Sequence, residues 1–155
     1  MAKYATAELN KVASRKTGEI EAQCKLDASI DSLENGAIVF VQAEDNTIVK
    51  TSSAKTIDAM YLHFSNPRRY EDGHTGMENY VYENNEGYLP RLYKLTTGDI
   101  FTTNFDYAND GGIVSEAPAV GIVFTFGDHK IVVIESSANE TVPSMLVGAT
   151  YRVIK

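Results

Sequence analysis

One cysteine, Cys24, in 155 residues cannot form an internal disulfide or a Cys-rich zinc site, so neither staple is available to the fold. Tryptophan is absent, which removes the most favourable stacking surface for sugars, although the nine tyrosines can substitute for it. The longest apolar stretches, residues 37–43 and 120–126, fall far short of the roughly 20 residues that a membrane-spanning helix needs. The start, Met1-Ala2-Lys3-Tyr4, has no apolar secretory region, and neither end carries a lipidation motif. Residence in a cytoplasm is the expectation. Positive charge is scarce as well: 14 Lys and Arg against 21 Asp and Glu leave a net charge of −7. Such a chain repels phosphate backbones and anionic lipid at long range, so neither nucleic acid nor membrane is an expected partner.

Catalytic motifs are equally sparse. The Walker phosphate loop, the Rossmann glycine fingerprint and the G-x-S-x-G nucleophile elbow do not occur. Asp106 and Asp110-Gly111 share fragments of a calcium loop, without its alternating ligands or closing Glu. The densest polar cluster, Glu71-Asp72-Gly73-His74 with Glu78, fits no established metal spacing and suits a solvated loop. His63 lies in an apolar run and His129 beside a turn, and both are expected to be structural. Cys24 has no neighbouring His that would activate it, so a passive thiol is expected. The expectation is a protein that is not an enzyme, with no catalytic residues, cofactor or metal.

What is present is a hydrophobic content of 43%, enough in a chain of this length for one substantial core and one domain. The first thirty residues are small and polar with scattered apolar positions, the texture of an N-terminal arm (1–30) preceding a body (31–155). Within the arm, residues 5–14 suit either a short amphipathic helix built on Leu9, Val12 and Ala13 or an extended segment that orders against a partner. From Leu33 the chain consists of short β-branched and aromatic runs punctuated by Gly, Asn, Asp and Ser. Strands are expected at 37–43, 47–50, 57–64, 89–95, 100–104, 120–126, 130–135 and 146–154. Turns fall at Asn35-Gly36, at Glu44-Asp45-Asn46, and at Gly127-Asp128, which joins a hairpin; Thr97-Gly98-Asp99 is a hairpin turn or a sharp bend. Residues 66–87 form a long polar loop with a short helix around 77–82. This pattern predicts a mainly β chain, a compact β-barrel or β-sandwich with an N-terminal arm and one long polar loop.

Concentrated positive charge occurs at Arg68-Arg69 and Arg91. An Arg pair beside Pro67 could clamp a carboxylate on a neighbouring subunit, or pair internally with Glu71, Asp72 or Glu86.

Residues 61–104, YLHFSNPRRYEDG and then MENYVYENNEGYLPRLYKLTTGDIFTTN, resemble capsid-associated proteins of tailed phages, the head decoration or auxiliary capsid proteins. The matching elements are Ser65, Pro67, Tyr70, Glu71, Asn85-Glu86-Gly87, Arg91, Tyr93, Leu95 and Gly98-Asp99-Ile100-Phe101, and Leu33-Glu34-Asn35-Gly36 resembles the family's opening. Asn66 between Ser65 and Pro67, and the loop at 73–77, depart from the pattern. The resemblance implies a virion protein on the capsid surface, bound to the major capsid protein as a homo-oligomer, a trimer by analogy. On that expectation partner contacts fall on Tyr4, Leu9 and Val12 of the arm, on Arg68 and Arg69, and on Tyr70, Tyr80 and Tyr82, unless these tyrosines pack within their own loop. Competing expectations are a head–tail joining or tail component and, in a different class, a small glycan-binding or hydrolytic module.

Overall fold

Residues 37–43, Ala-Ile-Val-Phe-Val-Gln-Ala, are apolar without alternation. A strand of that kind is stable only where both of its faces are covered. The structure is a computed structural model that describes residues 20–21, 24–50, 57–65, 81–83, 90–137 and 147–155. Its strands are β1 (Ile20–Glu21), β2 (Lys25–Leu26), β3 (Ser32–Glu34), β4 (Ile38–Gln42), β5 (Thr47–Val49), β6 (Ile57–His63), β7 (Val81–Glu83), β8 (Leu92–Lys94), β9 (Ile100–Thr103), β10 (Val123–Phe126), β11 (His129–Ser136) and β12 (Ala149–Val153). No helix occurs among the described residues.

The strands form a six-stranded sheet in the order β1-β8-β6-β4-β5-β2, a four-stranded sheet in the order β10-β11-β12-β9 and a two-stranded β3-β7 ribbon. Pairing is antiparallel except between β2 and β5. Around β4 the six-stranded sheet is buried on both faces. Ile38 and Phe40 of β4, Met60 and Leu62 of β6 and Tyr93 of β8 pack against Phe101, Ile131, Val133, Tyr151 and Val153 of the four-stranded sheet. The alternate residues Val39, Val41, Ala59, Tyr61 and Leu92 pack on the opposite face against Cys24, Leu26, Ile30, Leu33 and Phe105. That arrangement explains why all of β4 is buried. The architecture is therefore mainly β and sandwich-like.

The structure corrects three expectations. The sheets do not close into a barrel: β1 and β2 end the larger sheet and do not pair with each other, and β10 and β9 end the smaller one. The arm does not extend to residue 30. β1 pairs with β8, β2 pairs with β5, and Cys24, Leu26 and Ile30 lie in the core. Their apolar side chains are too widely spaced to register as a strand, and burial depends on contacts with residues far along the chain. Third, the end of the helix expected at 77–82 is strand instead: Val81 and Tyr82, β-formers by type, pair with Glu34 and Leu33. Residues 77–80, like the remainder of the arm, lie outside the described residues.

β4, β5, β6 and β8 to β12 lie where the strand-like runs place them. The 44–46 turn joins β4 to β5, with Asp45 Oδ1 accepting from the Thr47 amide at 3.0 Å, and Asn46 takes a positive φ. Gly127 at φ 60 begins the two-residue turn between β10 and β11. Thr97-Gly98-Asp99 is a bend rather than a hairpin. The Asp99 amide bonds Thr96 O at 3.0 Å around Gly98, at φ 97, and the chain passes from the larger sheet to the smaller one.

Candidate functional site

Two features stand out from the packing: a buried polar junction and an exposed sheet face. The junction is built on Asn35, whose side-chain amide imitates a peptide group. It accepts from the Ser65 amide at 2.8 Å and donates to Ser65 O at 3.2 Å, carrying the β4–β6 pairing past the end of the ladder. Ser65 Oγ in turn accepts from the Arg91 amide at 2.9 Å. His63 lies beside it, fully buried, with Nδ1 2.8 Å from Glu34 O and Nε2 2.9 Å from Ser65 Oγ.

These distances determine the proton positions. A carbonyl oxygen can only accept, so Nδ1 carries the hydrogen, and in the neutral ring the Ser65 hydroxyl donates to Nε2. The ring is neutral, and burial lowers its pKa to about 4, against the smaller opposing effect of the Glu34 carbonyl. A Ser–His pair at this distance has the spacing of a nucleophile and its base. Here Ser65 is 8% exposed, its oxygen holds the Arg91 amide, and the imidazole is oriented by a backbone carbonyl within a sheet junction. The pair holds β4, β6 and β8 together, in keeping with the structural role expected of His63.

Further bonds extend the junction into the loop after β9. Gly36, at φ 92, sits so close to Thr103 that a Cβ would collide with the threonine hydroxyl. Tyr107 donates from its hydroxyl to Gly36 O at 2.6 Å, and Glu34 Oε1 accepts from the Gly112 amide at 3.1 Å. Burial of the phenol raises the Tyr107 pKa, and the neighbouring Tyr151 adds to the effect. Asp106, of the suspected calcium fragment, uses its carboxylate on the amides of Ala108 and Asn109 and on Asn109 Nδ2. Those bonds make it the cap of a turn. Among the described residues, no group of three or more His, Cys, Asp or Glu is placed to hold a metal.

The exposed face belongs to the four-stranded sheet. Phe124 and Phe126 of β10 turn inward onto Tyr107, so Val123 and Thr125 turn outward. Two of the large hydrophobic residues most exposed to solvent lie on it, Val123 at 47% and Ile154 at 42%, while Val120 at 51% and Ile122 at 43% lead into β10. Cross-strand registers place Val123, Val132, Arg152 and Ile100 in one outward row. Lys130 faces Ile154 in the adjoining row, where its carbonyl accepts the Ile154 amide at 2.9 Å. Lys130 and Arg152 are thus diagonal neighbours, roughly 7 Å apart at the backbone. Both are exposed, and no carboxylate among the described residues pairs with either. Towards β9 the same face is closed: Thr102 and Thr150 are buried, with hydroxyls 3.0 Å apart and Thr150 donating to Glu135 at 3.2 Å.

Among the described residues, β10 is also an open edge. The Val133 carbonyl accepts from the Gly121 amide and the Val133 amide donates to Ile122 O, a bulge that aligns the inward bonds of β10 with Phe124 and Phe126. The backbone groups of Val123 and Thr125 consequently point away from β11.

Of the expected contact residues, Tyr82 lies in β7, opposite Leu33. Tyr4, Leu9, Val12, Arg68, Arg69, Tyr70 and Tyr80 lie outside the described residues, as does the 71–78 polar cluster. Arg91 is described and exposed; its backbone, not its guanidinium, joins the junction. The sequence reading missed the Val123–Arg152 face. Val123 and Val132 are as apolar as their inward neighbours, so nothing local marks them as outward, and nothing local shows that β12 brings Arg152 alongside Val132.

Comparison with known proteins returns no matching family model, no matching curated protein and no matching solved structure.

Proposed function

We propose that the chain is a structural virion protein that binds the outer surface of a tailed-phage capsid and reinforces or decorates it, with the major capsid protein as partner. One observation supports this reading above the others. Residues of the phage-like pattern that are far apart in sequence, Glu34-Asn35-Gly36, Ser65 and Arg91, meet in the buried junction, and Gly98-Asp99 forms the bend between the sheets. A pattern made of residues that build the fold is one that related folds would share.

In this reading the sandwich-like body is a rigid platform, and an N-terminal arm ending before Ile20 reaches across the shell together with Arg68, Arg69, Tyr70, Tyr80 and Tyr82. Repetition of modest contacts over a symmetric lattice, by a trimer of this chain, would make the binding strong. The deciding experiment mixes the purified protein with mature capsids that lack it and counts the copies that sediment with the shells. A saturable ratio that fits the shell symmetry supports the proposal. Binding to tail assemblies and not to shells would replace it with a joining or tail role, and turnover of a glycan would replace it with an enzymatic one.

A further inference from the structure

Lys130 and Arg152 are diagonal cations on the outer sheet face beside Val123, Val132 and Ile154, in a chain whose net charge is −7; Glu135, diagonal to Arg152 on the other side, takes the Thr150 hydroxyl. Diagonal cations repel, and an exposed apolar row beside them adds a second unfavourable feature that a monomer would have no reason to keep. Both features are relieved by the same occupant: carboxylates over the two cations, and apolar side chains over Val123, Val132 and Ile154. Free phosphate would answer only the charge. Nucleic acid would meet the acidic remainder of the molecule. A second copy stacked through the same face would set Lys130 and Arg152 against their own equivalents.

We propose that the outer face of the β10-β11-β12-β9 sheet docks an extended acidic segment of a partner protein, in which apolar residues alternate with Asp or Glu. The segment lies across β10, β11 and β12 and stops where Thr102 and Thr150 are already covered. This site does not depend on the shell proposal, because it requires only a segment of that composition.

The test uses immobilised synthetic peptides of alternating Val-Glu, Val-Lys and Ser-Glu, over which the full chain is passed. The Val-Glu peptide should retain the protein about tenfold better than the Val-Lys peptide, as two exposed ion pairs would allow. The Ser-Glu peptide should bind more weakly than Val-Glu, and the double variant K130E/R152E should reverse the charge preference. Both substituted side chains are exposed, so thermal unfolding of the variant should match that of the parent. Equal retention of all three peptides, no retention of Val-Glu, or a preference unchanged in the double variant would overturn the proposal. So would a dimer of the free protein that is lost on Val123→Lys, since the face would then be occupied by a second copy. The peptides contain no capsid component, and failure here therefore leaves the shell experiment to be decided separately.

Discussion

His63 is the residue whose environment makes the sharpest demand. Its pKa falls from 6.5 to about 4 on burial, so the folded protein holds the neutral ring while the unfolded chain takes up a proton first as the pH drops. The stability that depends on the neutral ring is complete above about pH 6.5, falls as pH decreases towards 4, and levels off below. Over the whole interval the loss is about 3 kcal/mol. Urea unfolding at pH 7 and pH 4.5 should therefore show about 2 kcal/mol more acid loss in the parent than in His63→Gln, whatever the variant costs at pH 7. Equal losses in the two proteins would show that the folded protein takes up the proton on the ring as readily as the unfolded chain does. Asn35 and Gly36 are similarly exacting. Asn35→Ala leaves the Ser65 amide and carbonyl without partners inside the protein, and should lower the unfolding free energy by about 2–4 kcal/mol. Gly36→Ala combines a positive φ with a collision against Thr103 and should cost a similar amount by chemical denaturation. A variant within about 0.5 kcal/mol of the parent at either position would contradict the geometry described.

Among the elements, β4 and β10 represent the two extremes. β4 is central and covered on both faces, so its amides should exchange with solvent only when the whole molecule unfolds. β10 is an edge strand with alternating exposure, and the amides of Val123 and Thr125 face solvent at the open edge. Hydrogen exchange followed by mass spectrometry or NMR should protect residues 38–42 and 59–63 for far longer than 123 and 125. Comparable protection of β10 in the free protein would mean that its edge is already occupied. The sequence marked both as apolar runs, 37–43 and 120–126, but not that the second alternates in exposure, because its outward Val123 is as apolar as its inward Phe124. β1, β2, β3 and β7 were not legible: each has only two or three residues, which establish no period, and, unlike the equally short β5 and β8, none was marked by a strand-like run in the sequence, so its pairing rests on a distant partner.

At the scale of the whole molecule, Tyr107 connects the two halves of the core. It packs against Phe105, Phe124, Phe126 and Tyr151, and its hydroxyl reaches Gly36 O across the junction. Clusters on the two faces of the larger sheet both contact it. Tyr107→Phe removes one buried hydrogen bond and should cost about 1–2 kcal/mol, whereas Tyr107→Ala should cost about 3–5 kcal/mol by opening a cavity between the clusters. If the two clusters unfold as one unit, fluorescence and circular dichroism should give coincident transitions in both variants.

The sequence by itself determined that the chain is mainly β, where its longer strands and tight turns fall, and that 35–36, 98 and 127 are turn positions. Each of these follows from local stereochemistry: side-chain period, β-branching and the left-handed freedom of glycine. Tertiary structure alone decided that residues 24–30 belong to the core, that the sheets remain open, and that Asn35, Ser65 and Arg91 share one junction. It also decided that Lys130 and Arg152 become neighbours on the outer sheet face. The physical reason is common to all four: each depends on register between segments distant in the chain, and pairing energy is set by the partner strand rather than by the residues next in sequence.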